Sequence, residues 1–144
     1  MYYLWYADEI GASPDGRRNK EPLATNYSVS LFADVNPFSL VSALTKPDLT
    51  KIINGGPLTI EFHDSVFKTD EAIKTVGQYI KEFIKRGGHQ LQLNAVNSDK
   101  LKDAQTNPSK YPFLIVRVWG WSAYFVDLDK AYQDQVISRQ EYII

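Results

Sequence analysis

Apolar and polar positions alternate along this chain with several distinct periods, and each period predicts an element. From Asp70 to Arg86 apolar side chains recur at Ile73, Val76, Ile80, Phe83 and Ile84. That spacing predicts one face of a helix about 25 Å long. Thr69 or Asp70 can cap its start, Asp70 and Glu71 suit the positive end of the helix dipole, Lys85 and Arg86 suit the negative end, and Gly87-Gly88 stops it. Ahead of this helix, Leu58-Thr59-Ile60-Glu61-Phe62 alternates as a half-buried strand does. Behind it, a second strand turns Leu91 and Leu93 to one face and Gln90, Gln92 and Asn94 to the other. This amide row either meets solvent or, if buried, fixes a neighbouring backbone by hydrogen bonds from Gln92 and Asn94.

The remaining segments give weaker patterns. Ser98 is placed to cap a short helix through Gln105, which Asn107-Pro108 ends. Phe113-Leu114-Ile115-Val116 is continuously apolar and predicts a strand buried on both faces. Residues 129 to 140 close the chain as an amphipathic helix with Tyr132, Val136 and Ile137 inward. Between Glu21 and Gly56, prolines and the pair Gly55-Gly56 punctuate short apolar pieces, so loops are expected, with a helix from Ser39 to Leu44. Met1-Tyr2-Tyr3-Leu4-Trp5-Tyr6 is too aromatic for a solvent-facing tail and either joins this chain's core or meets a partner. Pro14-Asp15-Gly16 is a turn signal, and Arg17, Arg18 and Lys20 beside it read as a solvated loop.

One glycine interrupts the last apolar stretch, Arg117-Val118-Trp119-Gly120-Trp121-Ser122-Ala123-Tyr124-Phe125. A glycine inside a strand-like run costs roughly 0.5–1 kcal/mol against alanine, so it marks a bend or the close approach of another group. Arg117 is read at a buried margin, where its guanidinium would hold carbonyls or carboxylates and pin the loop; a surface salt bridge is the alternative.

Composition narrows the chemistry. The 144 residues suit one domain, and the absence of cysteine excludes disulfides, thiolate metal sites and an iron-sulfur cluster within these residues. His63 and His89 lie in separate predicted strands with no second ligand at a metal-like spacing, so both are read as structural and no metal site is expected. A net charge of −1, from 16 basic and 17 acidic residues, gives no electrostatic case for nucleic acid or an anionic membrane as partner. The longest apolar runs fall far short of the roughly 20 residues that span a bilayer, and no signal peptide opens the chain, so a soluble, cytoplasmic protein is expected. No internal repeat, phosphate-binding glycine loop or Ser/His/Asp arrangement stands out, and acidic pairs such as Glu61 and Asp64 carry no assigned acid-base role.

The Gly120 segment resembles the C-terminal motif of the glycyl radical enzymes, Arg-Val-x-Gly-Tyr or Arg-Val-x-Gly-Phe followed by a mostly apolar run and a closing helix. Gly11-Ala12-Ser13-Pro14-Asp15-Gly16-Arg17 is similar to that family's Gly-Ala-x-Pro-Asp-Gly-Arg turn, and Gly87-Gly88-His89-Gln90-Leu91-Gln92-Leu93-Asn94 to its Gly-Gly-x-x-Leu-Gln-x-Asn strand. Asp103-Ala104-Gln105 with Asn107-Pro108 and Lys110-Tyr111 fits as well, as does Gln133-Asp134 with Ile137-Ser138-Arg139. The matches run in family order over nearly the whole chain. Three positions depart: Trp119 replaces a usually small residue, Trp121 a tyrosine or phenylalanine, and Gln140 a common threonine. Two indoles beside the glycine call for roomier surroundings.

The resemblance implies an α/β fold, the C-terminal portion of a glycyl radical enzyme barrel, with a few strands, a long amphipathic helix and a glycine radical loop. It implies one glycyl radical domain over residues 1–144, a small subunit or an excised part of a larger enzyme. Gly120 takes the radical position, with Arg117, Val118, Trp119, Trp121 and Ser122 supporting the loop. Only glycine serves there, since a planar alpha carbon delocalises the unpaired electron between the flanking amide nitrogen and carbonyl and a β-carbon opposes that planarity. No cofactor is bound; the radical is installed by an activase dependent on S-adenosylmethionine and an iron-sulfur cluster. A cysteine-bearing barrel subunit must supply the thiol to which Gly120 passes the radical, within an oxygen-sensitive lyase of an anaerobic organism. An arylacetate decarboxylase or dehydratase is the expected branch. A spare part restoring oxygen-damaged pyruvate formate-lyase, and a non-enzymatic aromatic-rich binding module, are the alternatives.

Overall fold

The structure, a computed structural model, describes residues 2–14, 16–28, 35–118, 120–139 and 141–144. Its helices are α1 (Tyr2–Trp5), α2 (Pro37–Leu44), α3 (Asp70–Lys85), α4 (Ser98–Thr106) and α5 (Lys130–Ile137). Its strands are β1 (Pro57–His63), β2 (Gln90–Val96), β3 (Ile115–Arg117), β4 (Ser122–Tyr124) and β5 (Glu141–Tyr142). One sheet has the order β2-β1-β5, with β5 parallel to β1 in the register Glu61↔Glu141 and Phe62↔Tyr142. The other is the antiparallel hairpin of β3 and β4. This is the α/β mixture expected. The chain divides into two compact units, residues 1–59 with 82–92, and residues 60–81 with 93–144. Among the described residues no helix is long and apolar enough to cross a membrane.

In the first unit, the Asn36 side chain caps α2 by accepting from the Phe38 amide at 2.9 Å, and Leu40 and Val41 are buried beneath it. The helix therefore starts at Pro37, two residues ahead of the expected Ser39. The turn at 13–17 is closed by the Gly16 amide on the Ser13 carbonyl, with Asp15 outside the described residues. Arg17 corrects the reading of a solvated basic loop: it is buried, and its guanidinium donates to the carbonyls of Ile10, Gly11 and Glu21. A fork of donors can satisfy several loop carbonyls at once, which makes burial of its charge tolerable, whereas Arg18 and Lys20 stay exposed. Trp5 and Tyr6 are exposed in this chain, so they are not core residues of the unit.

The expected long helix is present as α3, and Thr69 is its cap, its hydroxyl accepting from the Ala72 amide at 3.2 Å. Gly87, at φ +77°, and Gly88 end it, their amides donating to the Ile84 and Phe83 carbonyls at 3.0 Å each. Its buried stripe is Val76, Tyr79 and Phe83, while Ile73 and Ile84 are exposed, against expectation. The pattern had two overlapping apolar stripes, and packing chose the one containing Tyr79. In the second unit the Tyr79 ring meets Phe62 edge-on at 5.8 Å between centroids, and burial, with Tyr142 nearby, raises its hydroxyl pKa.

The core of the second unit gathers Leu101, Ala104, Val116, Val118, Phe125 and Val136 from α4, the hairpin and α5. Asn97, rather than Ser98, caps α4, accepting from the Lys100 amide at 3.0 Å. Helix α4 is also held from outside: Asp103 accepts from the Tyr111 hydroxyl and the Asn107 amide, each at 2.6 Å. The Tyr111 bond foremost keeps the Asp103 carboxyl below its usual range and pushes the Tyr111 hydroxyl up. Gln105 reaches Asp134 of α5 at 2.8 Å, and Lys130 reaches the same carboxylate at 2.6 Å. Of the motif residues recognised in the sequence, Asp103, Asn107 and Tyr111 thus hold the end of α4 to the turn after it, and Gln105 with Asp134 joins α4 to α5.

Candidate functional site

The final apolar stretch folds as a hairpin, not as a strand covered on both sides. Register pairs are Ile115↔Tyr124, Val116↔Ala123 and Arg117↔Ser122. Alternation puts Val116 inward against the core, while Phe113 and Ile115 are 79% and 61% exposed. The outer face thus carries Phe113 against Tyr124, edge-on at 6.3 Å, with Ile115 beside them. A two-stranded hairpin covers only the face turned to its own helices.

At the tip, the Val118 amide donates to the Trp121 carbonyl at 3.0 Å, leaving positions 119 and 120 as the two central residues of the turn. Gly120 has φ +71°, the left-handed conformation that turns of type I′ or II need at that position. Apart from its two chain neighbours, no described residue lies within 4 Å of where its β-carbon would be, and the residue is exposed. Crowding by neighbouring side chains therefore does not dictate glycine; backbone conformation does. Trp119 lies outside the described residues, and Trp121 is partly exposed beside the open turn.

The brace behind the turn differs from the expected one. Arg117 is exposed, and its guanidinium donates only across the hairpin, to the Ser122 hydroxyl at 3.2 Å. The arginine behind the turn is Arg139, just past α5, with its side chain 10% exposed. Its Nη1 donates to Glu61 Oε1 and to the Arg117 carbonyl, both at 2.8 Å. Its Nη2 donates to the Val118 carbonyl at 2.6 Å and to Gln135 Oε1 at 3.1 Å. Glu61 Oε1 also accepts from the Asn94 side-chain amide on β2 at 3.0 Å. Gln92 is half-buried on the same strand but belongs to the other unit. Gln133 Nε2 donates to the Phe125 carbonyl at 3.1 Å and ties α5 to the strand leaving the tip.

Arg139, Glu61 and Gln135 carried no assigned role in the sequence reading. Their only signal was position: Arg139 closes a recognised motif, and Glu61 is the polar residue in an otherwise buried run of β1. His63 Nδ1 accepts from the Ser65 amide at 3.2 Å, and among the described residues no group of three or more His, Cys, Asp or Glu side chains could hold a metal ion. An open cleft of about 500 Å³ runs beside β3, lined by Asp64, Asn97, Lys100, Leu114, Arg117 and Ser122 among others. Gly120 is not among the residues that line it.

With a glycine turn at the tip of a braced hairpin in view, comparison with known proteins is decisive. The profile of the glycine radical family matches residues 23–126. The chain belongs to this family. The glycyl radical domain is 40% identical to the indoleacetate decarboxylase of Tractidigestivibacter scatoligenes over 134 residues, covering 92% of this chain and 15% of that protein. It is 34% identical over 137 residues to the 4-hydroxyphenylacetate decarboxylase glycyl radical subunit of Clostridioides difficile, covering 91% and 15%. Its fold matches the glycerol-bound form of the B12-independent glycerol dehydratase from Clostridium butyricum with a TM-score of 0.92 at 35% identity, covering 99% of this chain and 18% of that one. The domain therefore spans less than a fifth of the length of these relatives, which are decarboxylases and a dehydratase.

Proposed function

We propose that Gly120 stores the radical of an oxygen-sensitive glycyl radical lyase and that a cysteine on a large barrel chain receives it. The observation that carries this reading is the placement of the family's motif glycine at φ +71° on an exposed, braced hairpin tip, in a stretch with no cysteine. In activation, the Gly120 Cα–H bond breaks and the hydrogen atom leaves to a carbon radical that an activase generates from S-adenosylmethionine with one electron from an iron-sulfur cluster. The spin then spreads over the Trp119-Gly120 amide and the Gly120 carbonyl. In turnover, the S–H bond of the barrel's cysteine breaks, Gly120 Cα–H reforms, and the thiyl left behind takes a hydrogen atom from substrate.

The large barrel subunit, the activase and an anaerobic cytoplasm belong to this proposal, as does the status of residues 1–144 as one working domain. The exposed outer face of the hairpin, Phe113, Ile115 and Tyr124, supports it, because an apolar surface around a reactive turn needs covering. Similarity to two arylacetate decarboxylases makes decarboxylation of an arylacetate the substrate reading, and likeness to glycerol dehydratase keeps dehydration of a diol as the second. Anaerobic activation of the complex should give a glycyl doublet by electron paramagnetic resonance, and air should then cut the chain at Gly120, seen as two fragments by mass spectrometry. A silent spectrum with a competent activase sinks the radical assignment. Release of carbon dioxide from indole-3-acetate or 4-hydroxyphenylacetate, against loss of water from glycerol, separates the two substrate readings.

A further inference from the structure

The brace behind the turn goes beyond what the radical assignment requires. Arg139 is 10% exposed and its partner Glu61 5%. A side chain that only neutralised a buried carboxylate would not direct two more N–H groups to consecutive backbone carbonyls more than twenty residues away. Those carbonyls are informative. Val118 and Trp121 form the hydrogen-bonded pair that closes the turn, and bonded and non-bonded pairs alternate along a hairpin, so the Arg117 carbonyl faces away from β4. Arg139 takes it at 2.8 Å. The Val118 carbonyl is the last described one before Gly120, and Arg139 holds it at 2.6 Å.

Glu61 and Gln135 orient the guanidinium from its other edges, and Asn94 in turn steadies Glu61. A planar fork fixed on two sides presents its remaining N–H groups in set directions. Charge-assisted bonds in a buried setting are about twice as strong as neutral ones. The last residue before the turn is therefore anchored through one side chain to β1 and α5.

We infer that Arg139 is the positioning residue of the Gly120 turn: it fixes where the glycine alpha carbon stands by holding the Arg117 and Val118 carbonyls against the Glu61 carboxylate. Its consequence for radical chemistry rests on Gly120 being the radical site; its consequence for the turn does not. Arg139→Lys keeps the positive charge against Glu61 and loses the fork, and Arg139→Ala loses both.

Two readouts on the full chain in its activated complex test the inference. In amide hydrogen exchange, Arg139→Lys should lose at least about tenfold protection at Val118, whose amide closes the turn, while Tyr79 in α3 changes little. Hydrogen transfer from Gly120, followed as growth of the glycyl doublet, should slow by roughly 10 to 10²-fold, the penalty of misplacing a reacting atom by about an ångström. Methylguanidinium added to Arg139→Ala should restore part of that rate. Unchanged exchange at Val118 overturns the inference, as does protection lost equally at Tyr79, which would make Arg139 a general stabiliser. A wild-type chain that never yields the doublet removes the radical assignment alone, and the exchange measurement then still decides whether Arg139 holds the turn. Should Arg139→Ala not fold, Arg139→Lys carries both readouts.

Discussion

Gly120 is fixed by its backbone and not by its neighbours. Open space surrounds the missing β-carbon, so the cost of a side chain is the left-handed conformation, about 1–2 kcal/mol. Gly120→Ala is expected to fold with its thermal midpoint lowered by a few degrees and to give no glycyl doublet; a variant that retains the doublet would move the radical elsewhere. The glycine was legible because a lone glycine in an apolar run is conspicuous. Arg117, read either at a buried margin or at the surface, is exposed for a physical reason: in the hairpin its side chain lies on the outer face, whereas its carbonyl points inward to Arg139. A sequence shows side chains, and the role of this residue in the brace is played by its backbone.

Among the elements, α3 was read most completely, because capping, periodicity and the glycine stop are local signals that agree. Its buried face was read less well, because periodicity reports where apolar residues stand and not whether anything lies against them. The stop also has a tertiary side. A β-carbon at Gly88 would intrude into the Phe83 ring, which is itself buried, so Gly88→Ala forces that ring out of its place. We expect a loss of about 1–3 kcal/mol, read as a lower denaturant midpoint. The same change at Gly11, where a β-carbon meets nothing, should leave the midpoint within about 0.5 kcal/mol of wild type. Equal effects at the two positions would refute the packing account. The hairpin was the least legible element: Phe113 to Val116 has the composition of a covered strand, yet Phe113 and Ile115 stay exposed among the described residues.

For the molecule, charge acts through two carboxylates, Asp103 at the end of α4 and Asp134 on α5. Asp103 is held below the ordinary carboxylate range chiefly by Tyr111, and Asp134 chiefly by Lys130 and then Gln105. A carboxyl whose folded pKa is depressed contributes stability that is fully present above its unfolded value near 3.9 and is lost as pH falls through the folded value. Stability of the domain should thus begin to fall below about pH 4, and Asp103→Asn should be less stable at neutral pH with a shallower acid loss. Denaturant midpoints measured from pH 7 down to pH 2 check this, and parallel curves for the two proteins would dismiss it. Both groups are solvent-exposed, so added salt is expected to shrink the difference.

The residues alone determined the α/β class, the extents of the main helices, the family and the position of its motif glycine, because each rests on a local pattern or an ordered set of motifs. Tertiary structure alone decided which arginine braces the turn. Arg139 and Glu61 lie 78 positions apart, and nothing near either residue encodes the other. It also decided which apolar faces are covered, since burial depends on what the rest of the fold brings alongside.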